Sequence, residues 1–185
     1  MTSKQSHMRL YNHANQRLYI NESERTRFIK AAYKKPLSIR VFALVLLYTG
    51  CRLSEVRELD QDRLQANEQL LAIRSLKKRT HHHIREIPIP KELVELIQSL
   101  PDHDLWDIDR ITAYRWIKAV MREADITGPH ATPKGLRHGF GIHAVRSGIQ
   151  LNMLQKWMGH ASIQTTAIYA NAVGREEMEL AKKMW

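Results

Sequence analysis

MGHASIQTTAIY, residues 158 to 169, is the stretch of this 185-residue chain that most restricts which fold and which chemistry the chain can have. Gly159 predicts the end of a helix over Leu151 to Met158, because glycine is common just past a helix C-terminus. Ser162 is a typical N-cap residue, and a second helix is predicted from there to about Asn171. His160 precedes that helix and Tyr169 lies near its end, nine residues later. The stretch therefore places an imidazole and a phenol around one short helix.

TPKGLRH, residues 132 to 138, lies upstream and predicts the start of another helix. A threonine N-cap followed by a first-turn proline is a strong start signal, and Gly148 closes the helix predicted over Lys134 to Ser147. The spacing puts Lys134, Arg137 and His138 on one helical face. Two cations could then reach one phosphate while His138 buttresses them. The alternative is an exposed basic stripe, which is common on single helices.

TGCRLSE, residues 49 to 55, follows a segment, Leu37 to Tyr48, that is apolar nearly all round and predicts a helix buried in the centre of a domain. Gly50 stops it, and a short helix from Leu53 to about Leu59 should follow. Arg52 lies at the start of that short helix. Its planar guanidinium fits two phosphate oxygens and stays charged, although a surface ion pair with Glu55 is the alternative.

The hydrophobic period changes between residues 62 and 90, where short β-compatible runs predict a small antiparallel sheet. LKKR, residues 76 to 79, lies where the first β-hairpin of this predicted sheet ends and its turn begins. A lysine there could donate a proton if its neighbours lower its pKa. Lys77 is the first choice, and Lys78 stays an alternative because the register across the turn is open.

Histidines 81 to 83 occupy the same turn and raise the question of a metal site. Consecutive side chains diverge, and no cluster of carboxylates or cysteines accompanies them. A solvated loop that faces DNA is the preferred interpretation, so no metal is assigned. Cys51, the single cysteine, follows an apolar segment and is read as a buried structural thiol rather than a nucleophile.

The remaining segments complete a fold class that is mainly α with a small antiparallel β-sheet, α+β. Further helices are predicted over Ser23 to Tyr33, Pro90 to Leu100, Ile111 to Ala124 and Glu176 to Trp185. One domain is expected over residues 20 to 185. Residues 1 to 19 read as a basic arm, either gripping DNA or disordered.

Composition adds a basic charge and no membrane or leader signal. The 29 Lys and Arg exceed the 19 Asp and Glu, which gives a formal net charge of +10 and a pI near 9.9. This favours a nucleic-acid partner, although many basic proteins bind none specifically. No apolar run approaches the length of a membrane span, and the N-terminus lacks a leader pattern, so a cytoplasmic location is expected.

Together the four segments resemble those of the tyrosine recombinases of the phage-integrase family, over roughly residues 22 to 172. The resemblance implies two arginines that grip the scissile phosphate, a lysine that protonates the departing 5′ oxygen, a histidine at the phosphate or nucleophile, and a tyrosine nucleophile. By position these are Arg52 and Arg137, Lys77, His160 and Tyr169, with Lys134 standing where most members have histidine.

The resemblance also implies a metal-free, ATP-free reaction with no cofactor. Tyr169 would form a 3′-phosphotyrosyl bond to double-stranded DNA, and a 5′ hydroxyl would later displace it. The surrounding cations would lower the pKa of the tyrosine hydroxyl, which is ordinarily near 10. Such enzymes usually work as DNA-bound homotetramers whose C-terminal helix packs on a neighbour. The apolar face of the last predicted helix fits either that use or packing on its own domain.

Other functions stay open at this point. One is a catalytically silent DNA-binding regulator on the same fold, and another is the catalytic fragment of a larger integrase, because the family normally carries a separate DNA-clamp domain before the catalytic one. A nicking topoisomerase would share the chemistry without site choice. An unrelated helix-turn-helix module would leave the sheet unexplained.

Overall fold

The computed structural model describes residues 9–75, 83–101, 105–171, 178 and 181–184. The helices are α1 Glu22–Tyr33, α2 Leu37–Thr49, α3 Leu53–Arg57, α4 Lys91–Gln98, α5 Arg110–Glu123, α6 Pro133–Arg146, α7 Leu151–Met158 and α8 Ile163–Ala167, with 3-10 turns at Gln61–Arg63 and Lys182–Met184. The strands are β1 Leu64–Gln65, β2 Leu70–Arg74 and β3 Ile84–Pro88. The predicted fold class, mainly helical with a small antiparallel sheet, is confirmed.

Helix α2 lies at the centre of the main core, as its sequence predicts. Residues 41 to 47 are all buried, and the helix packs against α1, α4, α5 and α6. It ends at Gly50, which has a left-handed backbone with φ +61. A Cβ on Gly50 would lie 2.3 Å from the ring of Phe140 on α6, so only glycine fits both the turn and the close helix packing.

The sheet is a three-stranded antiparallel meander in the order β1-β2-β3. Leu71 and Ile73 of β2 and Ile87 of β3 face the core. The small antiparallel sheet predicted between residues 62 and 90 is thus confirmed. Ile84 is half exposed, whereas Arg85 is fully buried, so the inward face of β3 carries residues 85 and 87.

The segment before α1 differs from the expected arm. The structure describes this segment from residue 9 onward. Within it, Tyr11 and Arg17 form an antiparallel β-bridge on either side of a turn. Leu10 and Tyr19 are buried in a second apolar cluster together with Phe140 and Leu154. These two apolar side chains give residues 9–19 a packed position on the domain. Residues 1–8 lie outside the described residues.

The chain around Tyr169 also differs from its prediction. Helix α8 ends at Ala167 rather than near Asn171, and the backbone N–H of Tyr169 donates to the Thr166 carbonyl at 3.0 Å. Tyr169 therefore lies in a tight turn after the helix. The predicted helix over Glu176 to Trp185 falls mostly outside the described residues. No helix in the described part of the chain is long and apolar enough to cross a membrane.

Candidate active site

Arg52 lies at the N-terminus of α3, where its backbone and its guanidinium both engage Glu55. The Arg52 backbone N–H donates to Glu55 Oε2 at 2.9 Å, and Nη1 donates to Glu55 Oε1 at 2.8 Å. The ion pair between Arg52 and Glu55, which the sequence offered as the alternative to phosphate binding, is thus present. It is not a surface pair, because the Glu55 side chain is 0% exposed while that of Arg52 is 27% exposed. Arg52 therefore has one side fixed in the interior and one side open to solvent.

Arg85 of β3 forms a second ion pair with the same carboxylate, and sequence reasoning missed it. Its Nη2 donates to Glu55 Oε2 at 2.6 Å, and both side chains are 0% exposed. Burial raises the pKa of Glu55, but the charge and hydrogen bonds of Arg85, followed by those of Arg52, outweigh this and lower the pKa overall. Glu55 is therefore held as a carboxylate between two guanidinium groups.

Arg137 on α6 is buried behind this pair. Its Nη1 donates to the Gly50 carbonyl at 2.6 Å and its Nη2 to the Met158 carbonyl at 2.7 Å. These carbonyls belong to the C-terminal ends of α2 and α7, where helices leave acceptors unsatisfied and carry partial negative charge. Burial, followed by the nearby charge of Arg52, lowers the pKa of Arg137 to about 10. Arg137 therefore stays charged near neutral pH and joins the loops that carry Arg52 and His160.

The first turn of α6 begins as predicted. The Thr132 side chain accepts a hydrogen bond from the Gly135 N–H at 3.0 Å, and Pro133 occupies the first turn. A Cβ on Gly135 would lie 1.8 Å from the His130 carbonyl, so the loop before the helix packs directly on its backbone. Lys134 is exposed and makes no hydrogen bond or ion pair with another described residue. It lies one turn from His138, whose pKa its charge helps to lower.

The sequence suggested that His138 buttresses Lys134 and Arg137. In the structure, the His138 ring instead contacts Tyr169. Its Nδ1 lies 3.1 Å from the Tyr169 hydroxyl, and its Nε2 is buried with no hydrogen-bond partner among the described residues. Burial, followed by the charges of Lys134 and Arg137, lowers the pKa of His138 to about 4. The ring is therefore neutral near neutral pH.

His160 lies against the opposite side of the tyrosine. Its ring is stacked on that of Tyr169 with centroids 6.4 Å apart and an interplanar angle of 14°. Its Nδ1 is 2.9 Å from Oγ1 of buried Thr166, which sets the ring orientation. The Nε2 atom is buried and lacks a hydrogen-bond partner within the described ranges. Burial, followed by the charge of Arg137, lowers the pKa of His160 to about 3.

Tyr169 itself is fully buried in this structure. Its ring packs on the α6 backbone at Gly141, where a Cβ would lie 2.6 Å from the ring. The sequence predicted that nearby cations would lower its pKa. Arg137 and Arg52 do act in that direction, but burial outweighs them and raises the pKa of the Tyr169 hydroxyl. The phenol is thus neutral and covered in the free protein.

The turn that carries Lys77 and Lys78 lies outside the described residues, as do His81 and His82. The strands that lead into it are described, and the Ser75 N–H donates to the His83 carbonyl at 2.9 Å. Ser75, His83 and His160 line one cavity of about 270 Å³. The hairpin therefore leaves the sheet beside His160. No group of three or more potential metal ligands occurs within the described part of the chain.

Cys51 takes no part in the open face of the site. It is buried, and burial raises the pKa of its thiol. Arg85 Nη2 lies 3.6 Å from its Sγ atom. This agrees with the reading of Cys51 as a structural thiol.

Comparisons with known proteins show the family of this chain. Residues 18–175 match the phage integrase family. A tyrosine recombinase XerA of Pyrococcus furiosus is 27% identical over 179 residues, which cover 89% of this chain and 60% of the relative. A XerC of Pseudomonas aeruginosa PAO1 is 32% identical over 142 residues, which cover 69% of this chain and 46% of the relative. The chain spans about half the length of the curated relatives it matches.

Solved structures with the same fold include a recombinase and the catalytic domain of a phage integrase. A XerA recombinase matches with a TM-score of 0.78 and 26% identity over 90% of this chain and 64% of the other. The catalytic domain of bacteriophage HP1 integrase matches with a TM-score of 0.65 and 25% identity over 89% of this chain and 93% of that domain. This chain therefore belongs to the phage integrase family and has the fold of a tyrosine recombinase catalytic domain.

Proposed function

We propose that this chain is the catalytic unit of a site-specific DNA recombinase that cleaves and rejoins DNA through a 3′-phosphotyrosyl bond at Tyr169. The observation that carries the proposal is a convergence in space. Arg52, Arg137, His138 and His160 come from three separate segments of sequence, and their side chains surround the Tyr169 ring or act on its hydroxyl.

Arg52 is the group best placed to bind the scissile phosphate. Its guanidinium is partly exposed, and Glu55 fixes it from the interior, so it can donate to phosphate oxygens without reorganising. Arg137 adds positive charge from the buried side. Lys134 is free to reach an oxygen of the same phosphate, as the histidine at that position would in other members of the family.

Proton transfer in the proposed reaction uses the neutral histidines. The Tyr169 oxygen attacks phosphorus and its proton passes to His138, whose Nδ1 lies 3.1 Å from the hydroxyl before the tyrosine moves toward the phosphate. His160 donates from Nε2, which is buried and has no partner among the described residues, to a phosphate oxygen. The bond from phosphorus to the 5′ oxygen breaks, and that oxygen takes a proton from Lys77 or Lys78. Rejoining reverses these steps with a 5′ hydroxyl, so no ATP or metal is consumed.

Cleavage requires Tyr169 to leave its buried position, because DNA cannot reach a side chain that is 0% exposed. Once the phenol moves toward the phosphate, burial no longer raises its pKa, and the fields of Arg52 and Arg137 then act to lower it. The free protein would thus hold its nucleophile in an inactive form.

Double-stranded DNA as the partner is supported by charge and by relatives. The net charge is +10. A XerH recombinase with the same fold was solved bound to its difH substrate, with a TM-score of 0.74 and 16% identity over 95% of this chain and 59% of the other. A homotetramer on DNA is part of the proposal, and so is the use of a clamp domain supplied by the rest of a longer protein or by a partner.

The proposal is tested with nicked suicide substrates drawn from a library of the DNA that flanks the gene. Wild-type protein should form a denaturation-resistant adduct in EDTA and without ATP. Tyr169→Phe should lower adduct formation by on the order of 10⁴-fold or more while keeping DNA affinity, because the nucleophile is gone. Tyr48→Phe, a matched loss of a phenol away from the site, should leave the adduct unchanged.

Two other outcomes would contradict the proposal. Tight DNA binding with no adduct on any member of the library would indicate a catalytically silent regulator. Adduct formation accompanied by relaxation of plasmids without sequence preference would indicate a nicking topoisomerase.

A further inference from the structure

Arg85 is a buried cation that the proposed reaction does not use. It lies on β3 with a side chain that is 0% exposed, so it cannot touch DNA. A charged group in the interior is costly unless it is fully paired, and loss of one partner leaves the other charge uncompensated. Arg85 meets that requirement with contacts to two different elements that carry proposed catalytic residues.

The first contact leads to Arg52. Each Glu55 oxygen is shared: Oε2 accepts from Arg85 Nη2 at 2.6 Å and from the Arg52 backbone N–H at 2.9 Å, while Oε1 accepts from Arg52 Nη1 at 2.8 Å and from Arg85 Nη1 at 3.5 Å. Arg85 therefore orients the carboxylate that orients Arg52. Without Arg85, the Glu55 carboxylate would lose the partner that fixes its orientation, and the Arg52 guanidinium would no longer be held in one position.

The second contact leads to His160. Arg85 Nε donates to the Trp157 carbonyl at 2.7 Å, next to the Met158 carbonyl that Arg137 binds. Two guanidinium groups thus cap the C-terminus of α7. Gly159 follows with a left-handed φ of +64, and a Cβ there would lie 3.1 Å from the Arg85 guanidinium. The turn that leads into His160 is therefore packed directly on Arg85.

We propose that Arg85 is a positioning residue of the recombinase, setting Arg52 through Glu55 and the turn before His160 through the Trp157 carbonyl. Its value for catalysis rests on the proposed function, whereas its effect on Arg52 is a property of the free protein. Strand β3 thereby joins the sheet, whose turn carries the candidate lysines, to the two parts of the site that carry Arg52 and His160.

The variants must separate positioning from folding. Arg85→Lys keeps the charge but has no forked geometry. Arg85→Met with Glu55→Gln removes both buried charges together, which is often tolerated, and leaves an amide oxygen as an acceptor for Arg52. Arg57→Met is the matched control, because Arg57 Nε also donates to a backbone carbonyl, that of Ile108 at 2.9 Å, without contacting Glu55.

The first measurement uses the free protein and needs no DNA. NMR of the arginine side chains should show Arg52 guanidinium protons protected from solvent exchange in wild type and in Arg57→Met. In Arg85→Lys and in the double variant, exchange should be at least about tenfold faster, because the acceptor is no longer held in place. Equal protection in all four proteins would overturn the proposal, whatever the protein does to DNA.

The second measurement follows single-turnover adduct formation at saturating suicide substrate. The double variant should slow it by about 10²-fold with DNA affinity within about twofold of wild type, and Arg85→Lys should recover part of the rate. With a neutral methylphosphonate at the scissile position the defect should shrink, since that substrate has less need of a positioned cation.

The outcomes distinguish the two proposals. Equal defects on the phosphate and methylphosphonate substrates would indicate a purely structural role for Arg85 and overturn this inference. Absence of any adduct with the wild-type protein would instead contradict the proposed function, and the exchange measurement on Arg52 would still decide whether Arg85 positions it.

Discussion

Arg137 and Tyr169 are both buried, but the structure holds them in different ways. The guanidinium of Arg137 donates to two backbone carbonyls at the ends of α2 and α7. The hydroxyl of Tyr169 has only His138 Nδ1 as a hydrogen-bond partner within the described ranges, and its backbone lies in a turn after a helix of five residues. The half of the candidate site that we propose binds phosphate is thus preorganised by several hydrogen bonds, whereas the proposed nucleophile is held by packing and one side-chain hydrogen bond.

Replacing Arg137 should disrupt the hydrogen bonds that preorganise its half of the site. Of the substitutions compared here, it should lower adduct formation the most. Arg137→Lys keeps a charge but can satisfy only one of the two carbonyls well. Adduct formation should fall by about 10²–10³-fold, and the free energy of unfolding by about 1–3 kcal/mol, because a buried acceptor loses its partner. Denaturant unfolding and the suicide-substrate assay measure the two effects.

Arg146→Lys on the same helix is the control for Arg137. Arg146 lies 3.6 Å from Glu22 in a partly exposed ion pair, and such pairs contribute little. Its substitution should change adduct formation by less than about twofold and the unfolding free energy by less than about 0.5 kcal/mol. If Arg137→Lys behaved like this control, Arg137 would not be an anchor of the site.

The preorganised half was predictable from sequence only in part. The apolar run of α2, the Thr132-Pro133 start of α6 and the Gly50 stop are local signals, and the structure confirms those elements. Arg85 carried no such signal. An isoleucine beside an arginine in a strand suggests that the isoleucine faces inward, yet here Ile84 is exposed and Arg85 buried. Alternation with the buried residues Ile87 and Ile89 puts Arg85 on the inward face, and the ion pair with Glu55 compensates its charge there.

The sequence suggested which residues form the proposed nucleophile half, but it did not predict that the phenol is buried. The spacing from His160 to Tyr169 suggested the residues, whereas the burial of the phenol depends on α6, which is distant in sequence. Gly141 provides the slot in which the ring lies. Whether the cations or burial dominate the pKa of Tyr169 is decided by that packing, so the local pattern could not predict it.

Gly141→Ala should displace the Tyr169 ring, because the new Cβ would lie 2.6 Å from it. We expect a loss of about 1–3 kcal/mol in unfolding free energy from overpacking. The pKa of the Tyr169 hydroxyl should fall toward its ordinary value near 10 as the ring becomes exposed. Ultraviolet titration, with Tyr169→Phe subtracted, measures the second effect.

A double-mutant cycle supplies the control for Gly141. With Tyr169→Ala as background the ring is absent, and Gly141→Ala should then stabilise the helix by about 0.5–1 kcal/mol. A reversal of sign between the two backgrounds would place the clash on Tyr169. The same destabilisation in both would show that the slot at Gly141 does not hold the ring.

The smallest expected effect concerns the two histidines that flank Tyr169. Burial is the largest cause that lowers the pKa of His138 to about 4 and of His160 to about 3. In the unfolded chain both should titrate near the ordinary value of about 6.5. As the pH falls below that value, the unfolded chain therefore binds protons that the folded chain does not, and the free energy of unfolding decreases.

His160→Asn removes one of these groups while keeping a polar atom near Thr166 Oγ1. Between pH 6 and pH 5 the unfolding free energy of the variant should depend on pH less steeply than that of wild type, by about 1 kcal/mol per pH unit. His83→Gln is the control, because it removes an exposed histidine just before β3. If His160→Asn left the slope unchanged, His160 would not be buried and neutral in the free protein, and the closed arrangement around Tyr169 would have to be abandoned, because the same packing buries both rings.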